Sequence, residues 1–268
     1  MNLNALGVLV IGHGTRDAVG QSQMRSLACQ IAGCLTPVPT DLGFLELAEP
    51  TIAQAVQRLA ANGVRRLITV PVLLFRAGHA DRDIPDAVSQ AAAPFGIDVL
   101  YQTPPLEYQA AVVQLSADRF HDAIAARQCQ DVPSSQIALA LIARGSSRLT
   151  AAQAMEEFAR RQVALTGVRE HCVGFVAVRT PTVEQSLDWL AQTSADLLVV
   201  QPHLLFEGEV FHTLRHATEQ RALVDGRKWL VCQPLGAPPD RFDDDRLARV
   251  VASQVHAALS DDALGCIG

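Results

Sequence analysis

Two histidines and a glutamate carry the side chains best suited to metal and proton chemistry. His13 lies in Gly12-His13-Gly14-Thr15-Arg16, Glu46 in Phe44-Leu45-Glu46-Leu47, and His79 follows Phe75-Arg76-Ala77-Gly78. Each ends or follows a short apolar run that reads as a strand. In open α/β sheets ligands bind outside the carboxyl ends of the strands, so the three are expected on one rim. Two imidazoles and a carboxylate are N/O donors of the kind that hold a divalent first-row metal. Neutral imidazoles also accept protons near neutral pH. Taken singly, each has an ordinary explanation: a histidine bonding a turn, a solvated edge carboxylate, a surface-loop histidine.

The elements that must position them alternate regularly. Apolar runs at 7–12, 42–47, 66–73 and 97–101 read as strands, and amphipathic stretches at 21–34, 51–62, 84–93 and 107–128 read as helices, the second opened by Thr51 as cap. The polar stretch 130–136, which contains Pro133, reads as a linker. Beyond it strands are expected at 137–143, 173–178, 196–201 and 229–232, with helices at 151–165, 182–193, 210–221 and 245–259. Strands that are apolar throughout and separated by helices imply βαβ units, hence a parallel sheet covered on both faces. The expected organisation is a first lobe at 1–129, a linker at 130–136 and a second lobe at 137–268, each with about four parallel strands.

The second lobe repeats the first. Gly145 stands 131 residues after Gly14, and at that same offset Gly43-Phe44 becomes Gly174-Phe175, Pro50-Thr51 becomes Pro181-Thr182 and Gln54 becomes Gln185. The block Pro71-Val72-Leu73-Leu74-Phe75 becomes Pro202-His203-Leu204-Leu205-Phe206, and no gap is needed between residues 14 and 75. A shared α/β rhythm explains alternation but not a gap-free register, so the chain reads as an internal duplication. The repeat also serves as a control. At the same offset His13 becomes Arg144, Glu46 becomes Ala177 and His79 becomes Val210. The scaffold glycines and prolines persist while the three polar candidates vanish together, which marks them as one functional unit.

Composition narrows the classes. The chain has 268 residues, 49 % hydrophobic and 19 % charged, with a formal net charge of -6. It holds ample core material and gives no support to global disorder or nucleic-acid binding. No run of about 18 apolar residues is present, so no membrane-spanning helix is expected. Residues 1–9 lack a basic region followed by an apolar one, so no secretory leader is expected. Six cysteines at 29, 34, 129, 172, 232 and 266 form no C-x-x-C pair. Neither a zinc knot nor a disulfide framework is indicated, and a reducing cytoplasm fits. No glycine-rich phosphate loop of either common pattern occurs. His212 and His216 stand i, i+4 and share a helix face, but no third ligand lies near them in sequence. His203, His121, His171 and His256 read as structural or surface residues.

These segments carry a family resemblance. Gly12-His13-Gly14-Thr15-Arg16, the stretch from Phe44 to Ile52, and Val70-Pro71-Val72-Leu73-Leu74 with Gly78-His79 and Asp83-Ile84-Pro85 resemble the class II tetrapyrrole chelatases. The likeness points to the sirohydrochlorin cobaltochelatase and ferrochelatase branch. It is strong over 7–106 and weaker over 137–240. It implies two tandem flavodoxin-like lobes, each a parallel sheet with helices on both faces, with a cleft between them. It also implies ATP-independent insertion of Co²⁺ or Fe²⁺ into sirohydrochlorin, for cobalamin or sirohaem, with nickel also possible. By residue-wise match His13 and His79 fall on the family's catalytic histidines, and Glu46 on its metal-site acid. No permanently bound cofactor is implied; the metal is a substrate. The tetrapyrrole carries eight carboxylates, so an acidic chain must place cations locally. Arg16, Arg76 and Arg82 neighbour the first-lobe candidates, Arg144 replaces the first histidine, and Arg148 and Arg179 are expected on the second rim. Arginine suits bidentate carboxylate pairing. The resemblance fits a cytoplasmic monomer or homodimer with no nucleic-acid or membrane partner. A non-enzymatic metal or tetrapyrrole carrier would use the same residues without turnover.

Overall fold

The computed structural model describes residues 5–75, 82–107, 109–236 and 244–260. His79 and Arg76 lie outside the described residues. The chain divides into two compact units, one formed by residues 1–106 with 245–268 and the other by 107–244.

In the first unit β1 (Leu6–Gly12), β2 (Thr40–Phe44), β3 (Arg66–Pro71) and β4 (Asp98–Gln102) form a four-stranded sheet of order β2-β1-β3-β4. Every pairing is parallel. The intervening helices are α1 (Ala18–Cys34), α2 (Ile52–Ala61) and α3 (Asp83–Ala92). All seven residues of β1 are buried, as a strand covered on both faces requires. Leu9 and Ile11 of β1 share an apolar cluster with Val56 and Leu59 of α2 and Ile84 and Val88 of α3. Thr51 opens α2 as expected: its side chain accepts from Gln54 N, and the Gln54 side chain accepts from Thr51 N. Such a capping box satisfies two otherwise orphaned donors.

The second unit repeats this plan with β5 (Ile137–Ala143), β6 (Glu170–Phe175), β7 (Leu197–His203) and β8 (Lys228–Val231) in the order β6-β5-β7-β8, again all parallel. Its helices α5 (Leu149–Thr166), α6 (Val183–Gln192) and α7 (Glu209–Asp225) occupy the matching places. Thr182 and Gln185 form the same capping box at the same offset. The isolated bridges Phe44–Thr51 and Phe175–Thr182 also match. The fold class is thus as expected: α/β, in two tandem lobes with helices flanking each parallel sheet.

The boundary differs from the expected one. The helix α4 (Ala110–Ala126) belongs to the second unit, and α8 (Arg246–Ser260) to the first. Packing explains the exchange. α4 packs along α5 and also meets β8, while α8 packs on α1 and reaches β3. Polar bonds hold α4 in place. Ser116 Oγ bonds Gln162 of α5 at 3.0 Å, and Gln201 Nε2 of β7 donates to the Ser116 carbonyl at 2.7 Å, all of it buried. Arg119, only 3 % exposed, donates to the Leu235 carbonyl and to Asp244 at 2.8 Å. The chain therefore passes between units near residues 106 and 244, and the stretch 130–136 lies inside the second unit, where Cys129 is buried beside it.

Candidate metal centre

β1 ends at Gly12 and β2 at Phe44, so Glu46 stands two residues beyond its strand, not at its end as expected. The backbone carries the pairing further. Leu45 N donates to Gly12 O at 2.9 Å and Glu46 N to His13 O at 3.1 Å. Gly14 adopts φ +99°, and a Cβ there would lie 1.7 Å from the Glu46 carbonyl oxygen. Only glycine lets the two segments approach so closely. The following loop is tied down as well. Thr15 Oγ1 accepts from Asp17 N at 3.1 Å, Gln21 Nε2 donates to Thr15 O at 2.8 Å, and the Asp17 side chain caps α1 through Gly20 N at 2.8 Å.

On this frame His13 Nδ1 and Glu46 Oε1 stand 3.5 Å apart, with the side chains 41 % and 54 % exposed. That separation is long for a hydrogen bond. It is close to the ~3.4 Å expected between two donors that each lie ~2.1 Å from one tetrahedral ion. The exposure leaves further coordination positions open to solvent or substrate. An open site of this kind can take up a divalent ion and release it.

Among the described residues no group of three or more His, Cys, Asp or Glu is arranged to hold a metal. The structure thus brings His13 and Glu46 together, while the expected third member, His79, lies outside the described residues, as does Arg76. Arg16 and Arg82 are exposed in the first unit and Arg144 is exposed in the second. Arg82 immediately precedes α3 and contributes no side-chain cap.

The second rim reproduces the scaffold. Val176 N donates to Ala143 O at 2.9 Å and Ala177 N to Arg144 O at 3.1 Å. Gly145 adopts φ +89°, with its would-be Cβ 2.0 Å from Ala177 O. Arg179, read from sequence as a rim cation, is committed to the backbone: its guanidinium donates to Ser146 O at 2.6 Å and Ser147 O at 3.1 Å. It braces the loop that carries Arg144, in place of the Gln21 bond of the first unit. Sequence reading missed this role, although the offset holds the signal: Gln21 becomes Ala152 while Ala48 becomes Arg179.

His203, His212 and His216 lie in the second unit. His203 ends β7 only 3 % exposed, its ring 4.2 Å from that of Phe158, and burial lowers its pKa to about 3. It is a neutral core residue at all ordinary pH. His212 is half-buried and His216 exposed on α7. Cys129 and Cys232 are buried free thiols; burial pushes the Cys172 thiol up to about 12 and raises that of Cys232 as well.

Comparison with known proteins agrees with this plan. The CbiX family model matches residues 7–123 and again 138–255. The sirohydrochlorin ferrochelatase of Priestia megaterium is 27 % identical over 254 residues, covering 94 % of this chain and 90 % of that protein. The sirohydrochlorin cobaltochelatase of the same organism is 22 % identical over 214 residues, covering 80 % and 68 %. Among solved structures, SirB from Bacillus subtilis with Fe³⁺ superposes with a TM-score of 0.79 at 23 % identity, covering 97 % of this chain and 98 % of that one.

Proposed function

The chain belongs to the CbiX family, and from that premise we propose that it inserts a divalent metal, Co²⁺ or Fe²⁺, into sirohydrochlorin without nucleotide hydrolysis. The observation that carries the reading is the His13–Glu46 pair, 3.5 Å apart and half exposed beyond the strand ends of the first sheet. Insertion must strip water from the ion and remove two pyrrolic protons. A neutral His13 imidazole with the Glu46 carboxylate holds the ion by few bonds, and the carboxylate offsets its charge. As the macrocycle nitrogens displace these ligands, the freed His13 imidazole accepts one pyrrolic proton and the His79 imidazole the other. His79 is the second histidine of this set by sequence. A site with open positions suits such a transfer, because a saturated one would compete with its product.

The arginines Arg16, Arg76, Arg82 and Arg144 pair substrate carboxylates in this reading. Iron and cobalt both accept these N/O ligands, so selection between them follows supply. The metal is a substrate and no resident cofactor is invoked. Free thiols among the described residues and the absence there of any helix long and apolar enough to cross a membrane support a cytoplasmic setting. We take the active form as a monomer or homodimer.

The test is anaerobic incubation of sirohydrochlorin with Fe²⁺ or Co²⁺ and substoichiometric protein, followed by the macrocycle's absorbance. Many turnovers per chain are expected. Binding of tetrapyrrole or metal with no acceleration over the uncatalysed rate would identify a carrier instead.

A further inference from the structure

Two residues next to the rim positions combine features that folding alone disfavours. Leu47 adopts φ +60° and Val178 φ +70°, and they are 50 % and 72 % exposed. They are the same position in the repeat, one residue after Glu46 and Ala177. The left-handed conformation belongs to the scaffold, because the segment must bend away after its carbonyl meets Gly14 or Gly145. Glycine or asparagine would meet that demand with little steric cost, and a β-branched valine is among the least suited residues. Where helices end in this conformation glycine supplies it, at Gly96, Gly167 and Gly226. Among the described residues the remaining non-glycine cases are Ala5, Glu107 and Gln128, none of them a large apolar side chain.

One exposed apolar residue is ordinary. Two at one repeat position, each against backbone preference, are not. Their neighbours have diverged, Glu46 to Ala177 and Ala48 to Arg179, while the apolar character has stayed. Strain of this type persists at ligand-contacting sites. We propose that Leu47 is a substrate-contact residue that packs on the apolar face of the tetrapyrrole and sets its seat beside the metal-holding pair of its own unit, a display position that Val178 keeps in the second unit. The inference rests on the functional reading above and adds to it the groups that recognise the macrocycle's face as distinct from its carboxylates. A flat, largely apolar ring gains from contact with an aliphatic side chain already held in place, since little rotamer freedom is lost on binding.

Glycine substitution separates this role from a structural one. Leu47→Gly relieves the backbone while removing the contact, so the thermal midpoint should stay level or rise. The sirohydrochlorin Kd, read by fluorescence titration without metal, should rise about fivefold for this change, consistent with losing part of an apolar side chain's burial. Metal KM should stay within about twofold, because Glu46 keeps its backbone anchor. Leu47→Met should restore wild-type affinity and Leu47→Asn should not. Wild-type tetrapyrrole affinity in Leu47→Gly overturns the proposal, as does a fall in thermal midpoint that accompanies the affinity loss. Failure of the unaltered protein to bind or metallate sirohydrochlorin overturns the functional reading itself, and this inference with it.

Discussion

At the rim of the first unit Glu46 N bonds His13 O at 3.1 Å; at that of the second Ala177 N bonds Arg144 O at the same distance. The glycines at 14 and 145 share the left-handed conformation and press on the same carbonyl. The frame is thus indifferent to what it displays. In one unit it presents an imidazole and a carboxylate, in the other a guanidinium and a methyl group. Interiors have diverged too. Ile31 and Val70 of the first core are Gln162 and Gln201 in the second, where they bond each other at 2.6 Å and share Ser116 of α4. In the opposite sense, the Arg58–Asp41 pair at 2.7 Å becomes Trp189 and Cys172, which pack against the second core. A duplicated fold keeps its backbone contacts while chemistry is grafted onto the display positions.

The largest expected effect is on the first rim. His13→Ala should lower the insertion rate by at least ~10²-fold, the scale of a lost acid–base group, with the thermal midpoint nearly unchanged because the residue sits on an exposed loop. Turnover near wild type with saturating metal would remove His13 from the mechanism.

A contrasting histidine governs stability instead. Burial depresses the pKa of His203 to about 3, below the ~6.5 of an unfolded chain. Between those values the unfolded state binds the extra proton, so stability falls as pH drops through that window. Near pH 5 the loss is ~2 kcal/mol, about thirtyfold in the folding equilibrium. His203→Leu should flatten that slope in urea titrations at pH 7 and pH 5. A slope equal to the wild type's would mean another group carries it.

Next in size, Glu46→Gln should weaken metal affinity at least about tenfold, the lower end of what losing even a supporting partner costs. Tetrapyrrole affinity should hardly move; the reverse pattern in separate titrations would exclude Glu46 from the metal site. Arg144→Ala should raise the sirohydrochlorin KM a few-fold, roughly 1 kcal/mol for a solvent-screened charge-assisted bond, and leave kcat close to its original value. An equal loss in kcat would place Arg144 in the chemistry and break the contrast between the two rims.

Much of this was legible in the amino-acid sequence. The strands that are apolar throughout announced themselves, as β1 and β5 do, and the offset exposed the repeat and the replacement of His13, Glu46 and His79 by Arg144, Ala177 and Val210. Thr51 was readable as a cap because its partner Gln54 is three residues on. The exchange of α4 and α8 was not readable: both helices are amphipathic, and periodicity shows that a face is buried without showing on which sheet. The brace by Arg179 was hidden for a related reason, since a guanidinium that bonds backbone carbonyls looks in sequence like one left free for a ligand. Leu47 and Val178 carried no sequence signal, because left-handed geometry at a non-glycine residue shows only in coordinates.

The central claim is that the first rim alone holds metal. Anaerobic Co²⁺ titration tests it most directly, following the visible absorbance of the bound ion in the wild-type chain and in the double variant His13→Ala with Glu46→Gln. The account predicts one ion per wild-type chain and loss of that ion in the double variant. Two ions per wild-type chain, or one ion retained with unchanged affinity in the double variant, would contradict it.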